Sequence, residues 1–235
     1  MEDGLDRQHG SVVTALIAGR EVRFFVADER DVIQQHHAIG QFYEVEELRI
    51  IAEFLAPGGV FIDIGANVGN HSLYVGTYLH PRQIVVFEPN PPAIAILRLN
   101  LALNGLQRVV DLTHLGTGLA DVPSRAQIRV PDGNLGGSWF APSQDDGALA
   151  LIRGDDALAQ RRVDFLKIDV EGMEMQVLAG LQQTVANWRP PIFIEIENRN
   201  AEAFQAWTAR QGYRIERRFR RYEVNENYLI LPAEA

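Results

Sequence analysis

The run Val60-Phe61-Ile62-Asp63-Ile64-Gly65-Ala66-Asn67-Val68-Gly69-Asn70-His71-Ser72 joins an apolar stretch to two glycines, with a carboxylate just ahead of them. Gly65 and Gly69 allow a tight turn and a close backbone approach, and Asn67 between them tolerates the left-handed conformation. A carboxylate at the lip of such a turn repels a pyrophosphate and attracts an ammonium or sulfonium group. The turn therefore reads as a nucleoside site for a cationic ligand, and S-adenosylmethionine is the common cofactor of that description. Glu88 follows Gly69 by nineteen positions, where an acid receives the ribose hydroxyls in nucleotide-binding α/β folds. An NAD enzyme would show the same acid, but the G-x-G-x-x-G run is absent here. A solvated acid at a strand end is the plainer alternative.

A second run, Phe165-Leu166-Lys167-Ile168-Asp169-Val170-Glu171-Gly172, places charges inside an apolar strand. Strand alternation puts Lys167 and Asp169 on one face and Leu166, Ile168 and Val170 on the other. Such charges are costly unless paired or used, so the alternatives are a structural bridge from Lys167 to a carboxylate and a ligand pocket. Ligands gather outside the carboxyl ends of strands in open α/β sheets, which is where Asp169 and Glu171 emerge. Glu195 and Glu197 end the next strand in the same way.

Were S-adenosylmethionine the ligand, its sulfonium methyl would leave by an in-line displacement, in which an acceptor oxygen comes to about 3 Å and gives up its proton. Asp169 is the first candidate base, with Glu171 beside it. His37 is the second, because imidazole titrates near neutral pH; a surface histidine is the plainer reading. Mg²⁺ held by Asp169, Glu171 and Glu195 is a further alternative, since hard oxygen ligands suit it.

These residues need elements to position them. Val60 to Ala66 suits an inner strand of a parallel sheet covered on both faces. A helix to about Leu79, a strand Ile84 to Phe87, a helix from Pro91-Pro92 to Asn104-Gly105 and a strand Val109 to Leu115 follow, which predicts right-handed crossovers and a doubly wound sheet. Upstream, residues 12 to 18 and 21 to 27 flank Gly19-Arg20 as an N-terminal hairpin, Asp28 to Gln41 reads as a loop, and a helix covers Val45 to Leu55. The rhythm breaks between Leu119 and Gln160, read as an inserted hairpin turning at Pro131-Asp132-Gly133-Asn134. Gly136-Gly137-Ser138-Trp139-Phe140 there could form a lid, with Trp139 facing a sugar ring or filling a core gap. Beyond it come Val163 to Val170, a helix from Met173 to Ala186, the strand Pro191 to Glu197, a helix over 201 to 211, and a terminal hairpin from Tyr213 to Phe219 and Asn227 to Leu231. The expected organisation is one unit: residues 1–41 as hairpin and loop, and 42–235 as the main domain with its insertion at about 119–160.

The chain resembles the FkbM-type S-adenosylmethionine-dependent methyltransferases of the class I Rossmann-like superfamily. Asp63 to Gly69 looks like the family's first motif, Glu88-Pro89 like its ribose-binding strand end, and Lys167-Ile168-Asp169-Val170-Glu171-Gly172 like its hallmark. The resemblance implies an α/β fold with a doubly wound, mostly parallel seven-stranded sheet whose last strand is antiparallel. It implies that Gly65, Ala66, Asn67 and Gly69 hold the methionine portion, with Asp63 near its ammonium and Asp169 beside the methyl; Asn70 is counted in the cofactor-binding set with them. Glu88 and Pro89 would hold the ribose, and Asn104, Leu115 and Gly116 would flank the adenine. Tyr43-Glu44 matches a tyrosine or tryptophan followed by glutamate that often precedes the first motif, which brings Glu44 into the cofactor set. Methylation of a hydroxyl on a sugar, glycan or natural product is implied by the same analogy.

Composition bounds the rest. Apolar content of 46% with 23% charged residues over 235 positions suits one globular α/β domain. With no cysteine, disulfides, thiolate metal sites and cysteine nucleophiles are excluded. A net charge of −9 argues against broad nucleic-acid binding. The polar start Met1-Glu2-Asp3-Gly4 and the lack of a long apolar run lead to a cytoplasmic expectation with no membrane partner. Arg214, Arg217, Arg218, Arg220 and Arg221 form the basic cluster, read as a solvated face or as a grip on an anionic or carrier-linked acceptor. A homodimer is left open. The competing functions are an RNA or protein methyltransferase, a non-catalytic nucleoside-binding module and, least favoured, a dinucleotide oxidoreductase.

Overall fold

The computed structural model describes residues 9–129, 133, 135, 139–143, 145 and 148–233. The chain opens with the hairpin β1 (Ser11–Ile17) and β2 (Arg20–Val26), then α1 (Val32–Ala38) and α2 (Val45–Phe54). The alternation expected next is present: β3 (Val60–Ile64), α3 (Asn70–Tyr78), β4 (Gln83–Phe87), α4 (Pro91–Leu103) and β5 (Val110–Asp111). The inserted region supplies β6 (Thr117–Ala120), β7 (Ser124–Arg129), β8 (Trp139–Pro142) and β9 (Leu149–Arg153). After it come α5 (Gly154–Leu158), β10 (Phe165–Ile168), α6 (Glu174–Gly180), α7 (Gln182–Trp188), β11 (Ile192–Glu197), α8 (Ala201–Arg210), β12 (Tyr213–Phe219) and β13 (Asn225–Pro232).

Seven strands form the main sheet in the order β12-β13-β11-β10-β3-β4-β5. The pairs from β11 to β5 are parallel, whereas β13 runs antiparallel to both β11 and β12. Period-two alternation gives each strand two buried faces. Val60, Ile62, Ile64, Leu166 and Ile168 pack under α6, α7 and α8, and Phe61, Ile84, Val86 and Phe165 pack against α2, α3 and α4. The strand order reverses between β3 and β10, so a crevice opens above their carboxyl ends.

Four expectations are corrected. The segment read as a loop contains α1, because Asp31 caps it by accepting the N–H groups of Ile33 and Gln34. The strand after α4 is only two residues long: the Asp111 carboxylate takes the N–H of Thr113 and turns the chain, and Leu115 returns to bridge Glu88. The insertion is a four-stranded sheet of its own, β6-β9-β7-β8, in which the hairpin β7–β8 is one part and β6 pairs parallel with β9. The long helix after β10 breaks at Leu181 into α6 and α7. Most of the expected turn at 131–134, and Gly136, Gly137, Ser138 and the Trp139 side chain of the expected lid, lie outside the described residues.

Candidate active site

The β3–α3 turn begins where the Gly65 and Ala66 N–H groups donate to the Phe87 carbonyl, at 2.9 and 3.1 Å. Gly65 has φ +77°, and a Cβ there would stand 1.7 Å from the Asp169 carbonyl oxygen, so both the conformation and the neighbour demand glycine. Asn67 follows at φ 50°. Its N–H donates to Glu88 Oε2 at 2.7 Å, while the Asn90 N–H donates to Oε1 at 2.7 Å. Burial pushes the Glu88 carboxyl up to about 7, with these two bonds pulling against it.

Asp63 departs from its expected position. It is fully buried beneath the turn rather than at its lip, accepting from Ser72 Oγ at 2.6 Å and pairing with Lys167 Nζ at 3.3 Å. The register sets Lys167 directly opposite Asp63, and the ammonium also donates to the Gly65 carbonyl at 2.7 Å and approaches Asp169 at 3.6 Å. Burial alone would lower the Lys167 pKa, but Asp63, Asp169 and Glu44 carry it above the ordinary value. The structural bridge weighed in the sequence is thus present, and Asp169 leaves it toward the crevice.

The acidic rim comes from other residues. A cavity of about 320 Å³ is lined by Glu44, Asn67, His71, Asp169, Glu171 and Glu195, among others, and closed by Tyr43, Tyr222 and Asn225. Burial, together with Asp169 and Glu47, pushes Glu44 up to about 8. Burial with Asp169 and Glu197 raises Glu171 to about 8, and burial with Asp169 and Glu171 raises Glu195 to about 10. One oxygen from each of Asp169, Glu171 and Glu195 lies within 4.8 Å of the others. Glu44, Asn67 and Glu171 all hold positive φ, at 57°, 50° and 45°. Left-handed residues other than glycine cost about 1–3 kcal/mol each and cluster at working sites.

A second cavity adjoins the first on the other side of Gly65 and Asp169. Glu88, Pro89, Phe87, Thr117, Gly118 and Leu119 line it, with Ile128 and Leu135 of the insertion opposite. Leu115 and Gly116 are not among its lining residues but pair with Glu88, the Gly116 N–H donating to the Glu88 carbonyl at 2.9 Å.

Two expected site residues, His37 and Asn104, are placed elsewhere, and a third, Asn70, is tied to the backbone beside the cavity. His37 is fully buried in α1, stacked on Phe24 at 4.5 Å, with Nε2 3.2 Å from Asn70 Oδ1. Burial pushes it down to about 4, so it is a neutral core imidazole rather than a base in the crevice. Asn104 is pinned to the hairpin, accepting the Arg23 N–H and donating to the Arg23 carbonyl. Asn70 lines the cavity while its side chain holds the backbone N–H and C=O of Tyr43 at 3.1 and 2.9 Å, which fixes the chain just ahead of Glu44. The arginine cluster is largely neutralised: Arg214 pairs with Glu216, Arg217 with Glu53, Arg218 with Glu226 and Arg221 with Glu47.

Sequence reasoning missed His71, Tyr222 and Asn225. His71 Nε2 lies 3.6 Å from Glu44, but burial, with Lys167 nearby, pushes the imidazole down to about 3, so the contact is not an ion pair. Its position one residue after Asn70 was the available signal. Tyr222 and Asn225 arrive from the far end of the chain, and the Tyr222 and Tyr43 hydroxyls meet in a short hydrogen bond.

The family model described as Methyltransferase FkbM domain matches residues 63–222. The chain belongs to the FkbM methyltransferase family. As a member it is an S-adenosylmethionine-dependent methyltransferase. This FkbM methyltransferase is 30% identical to the 31-O-demethyl-FK506 methyltransferase FkbM of Streptomyces tacrolimicus, over 57% of this chain and 63% of that protein. It is 24% identical to the hexuronic acid methyltransferase AglP of Haloferax volcanii, over 73% of this chain and 69% of that protein. A 24% identical match to the AMB antimetabolite synthetase AmbE of Pseudomonas aeruginosa spans 91% of this chain but 13% of that protein. The fold is shared with the tRNA methyltransferase TrmK of B. subtilis, at a TM-score of 0.54 and 11% identity over 83% of this chain and 68% of that one. A Streptococcus pneumoniae protein in complex with S-adenosyl-L-methionine aligns at a TM-score of 0.54 and 13% identity, over 81% of this chain and 73% of that one. Among the described residues no helix is long and apolar enough to cross a membrane.

Proposed function

We propose that this methyltransferase transfers the methyl group to a hydroxyl oxygen of a sugar, glycan or natural product. The observation that carries the reading is the place of Asp169, which lines both cavities at the point where they join. Adenosine would lie over β4 with its ribose at Glu88, and the methionine portion over Gly65, Ala66 and Asn67 with its ammonium toward Glu44. The sulfonium methyl then falls beside Asp169, facing the cavity closed by Tyr43 and Tyr222. There the chain holds the acceptor oxygen in line, excludes water and offers Asp169 as the base, with Glu171 in reserve. The hydroxyl-methylating relatives support the oxygen chemistry by name: the FkbM enzyme above and the 2-O-methyltransferase NoeI of Sinorhizobium fredii, 26% identical over 67% of this chain.

A second reading places Mg²⁺ across Asp169, Glu171 and Glu195, whose oxygens approach one another closely; it would acidify the hydroxyl directly. Incubation with methyl-labelled cofactor and a panel of deoxysugars and glycosides, with mass spectrometry of the product, tests the proposal. An O-methylated product with a chelator present supports the base mechanism. Cofactor binding without any methylated oxygen counts against the function.

A further inference from the structure

The N-terminal hairpin has one edge that the rest of the chain holds and one that it leaves open. Along β2, side chains of α4 and its cap take the backbone: Asn100 Oδ1 accepts the Phe25 N–H at 2.7 Å, and Asn104 accepts the Arg23 N–H and donates to the Arg23 carbonyl. At the tip, Arg20 donates to the Thr77 carbonyl and the Tyr78 hydroxyl donates to the Ile17 carbonyl, which fixes the hairpin to α3. The register sets Arg23 opposite Thr14 and Phe25 opposite Val12. Since Arg23 and Phe25 turn their backbone groups toward α4, Thr14 and Val12 turn theirs the other way, to the outer edge of β1, and Leu16 follows with the same period. Among the described residues β1 pairs with β2 alone.

This edge lacks the devices that keep edge strands apart. The segment Ser11-Val12-Val13-Thr14-Ala15-Leu16-Ile17 contains no charge and no proline, whereas open edges ordinarily carry lysine, proline or a bulge. Val12 is 50% exposed and Leu16 78%, with exposed Thr14 between them. Ile39, 67% exposed, extends the apolar surface: it precedes Gly40, which lies so close to β1 that a Cβ there would stand 2.9 Å from the Ala15 Cβ.

The strand is complementary to itself. Antiparallel pairing about a twofold axis at Thr14 sets Thr14 opposite its own copy and Val12 opposite the partner's Leu16. These are the residues whose backbone groups face outward, so each pair exchanges both hydrogen bonds, and each exposed apolar side chain meets another. An axis at Val12 or at Leu16 would run the pairing off an end of the strand. We propose that two copies of this chain associate through β1, joining their hairpins into one continuous sheet in the order β2-β1-β1-β2. The contact is isologous, and its extent, a single strand edge, makes the dimer a reversible one.

The test is sedimentation equilibrium of the whole chain across the micromolar range, where a monomer–dimer equilibrium is expected. In Thr14→Glu the new carboxylate faces Arg23 within its own hairpin, which supports the fold, but across the axis it faces its own copy. The dissociation constant should rise at least about ten-fold while S-adenosylhomocysteine binding is unchanged. An equimolar mixture of Thr14→Glu with Thr14→Lys should restore the dimer, because opposite charges then meet at the axis. Amide exchange at Val12, Thr14 and Leu16 of the wild type should slow as concentration rises, a readout that needs no variant. A wild type that stays monomeric would overturn the inference and leave the edge to a strand of a different chain. A dimer indifferent to Thr14→Glu, a mixture that fails to associate, or exchange at these amides independent of concentration would overturn it as well.

Discussion

Lys167 and Asp63 face each other across neighbouring strands, their charges 3.3 Å apart and both side chains removed from water. The pair lies beneath the crevice: the same ammonium holds the Gly65 carbonyl at the start of the β3–α3 turn and approaches Asp169 above it. Removing one partner strands the other. Lys167→Met is expected to cost about 3–5 kcal/mol of stability, and Lys167→Met with Asp63→Leu to recover much of it. Urea unfolding of both variants checks this, and a single variant within about 1 kcal/mol of wild type would show that the pair is dispensable.

Glu88, the proposed ribose contact, also organises the turn, since its two oxygens take the Asn67 and Asn90 N–H groups. Glu88→Gln replaces one oxygen by an amide that opposes a backbone donor. We expect S-adenosylhomocysteine affinity to fall about 10- to 100-fold, the scale of a lost charge-assisted bond. Calorimetry showing unchanged affinity would remove Glu88 from the cofactor site.

Asp169 stands where the two cavities meet, so its neutral variant separates binding from chemistry. Asp169→Asn is expected to lower turnover by about 100-fold or more while cofactor affinity stays within about three-fold. Single-turnover kinetics beside calorimetry distinguish the two. Full turnover in this variant would pass the base role to Glu171.

The buried imidazole of His37 makes stability depend on pH. Its folded value is pushed down to about 4 from 6.5, so as pH falls below 6.5 the unfolded chain gains a proton that the folded chain refuses. Stability is then lost between pH 6.5 and about 4, on the order of 3 kcal/mol from this group. His37→Gln should be less stable than wild type at pH 7.5, and the gap should narrow toward pH 4.5. A gap independent of pH in thermal melts would contradict the burial argument.

Cofactor binding should release protons. Burial, with Asp169 and Glu47, holds Glu44 near 8 in the free protein, and a cation beside it favours the ionised form. Affinity for S-adenosylmethionine should therefore rise with pH toward about 8 and then level off. S-adenosylhomocysteine, which keeps the ammonium proposed to face Glu44, should release protons in the same pH range. Calorimetry in buffers of different ionisation enthalpy measures both, and no proton release from either ligand would count against an ammonium beside Glu44.

Much of this was legible in the residues. Local rules identify Val60 to Gly69 as strand and glycine turn, Pro91-Pro92 as a helix start, and the alternation within Phe165 to Val170 that sets Lys167 and Asp169 on one face. The loop assigned over α1 failed because one capping carboxylate, Asp31, outweighed an aperiodic stretch. His37 was misplaced for the same reason: a helix that packs inward carries its imidazole into the core.

The sequence by itself carried the fold class, the glycine turn and, through its short motifs, the resemblance to the family, because periodicity, glycine requirements and motifs are properties of neighbouring positions. Only the tertiary structure decided which carboxylates line the crevice. Asp63 is drawn under the turn by register with Lys167, whereas Glu44, Glu171 and Glu195 converge on the crevice from three separate segments. Burial and mutual proximity set the charge of each, and neither quantity exists until distant parts of the chain meet.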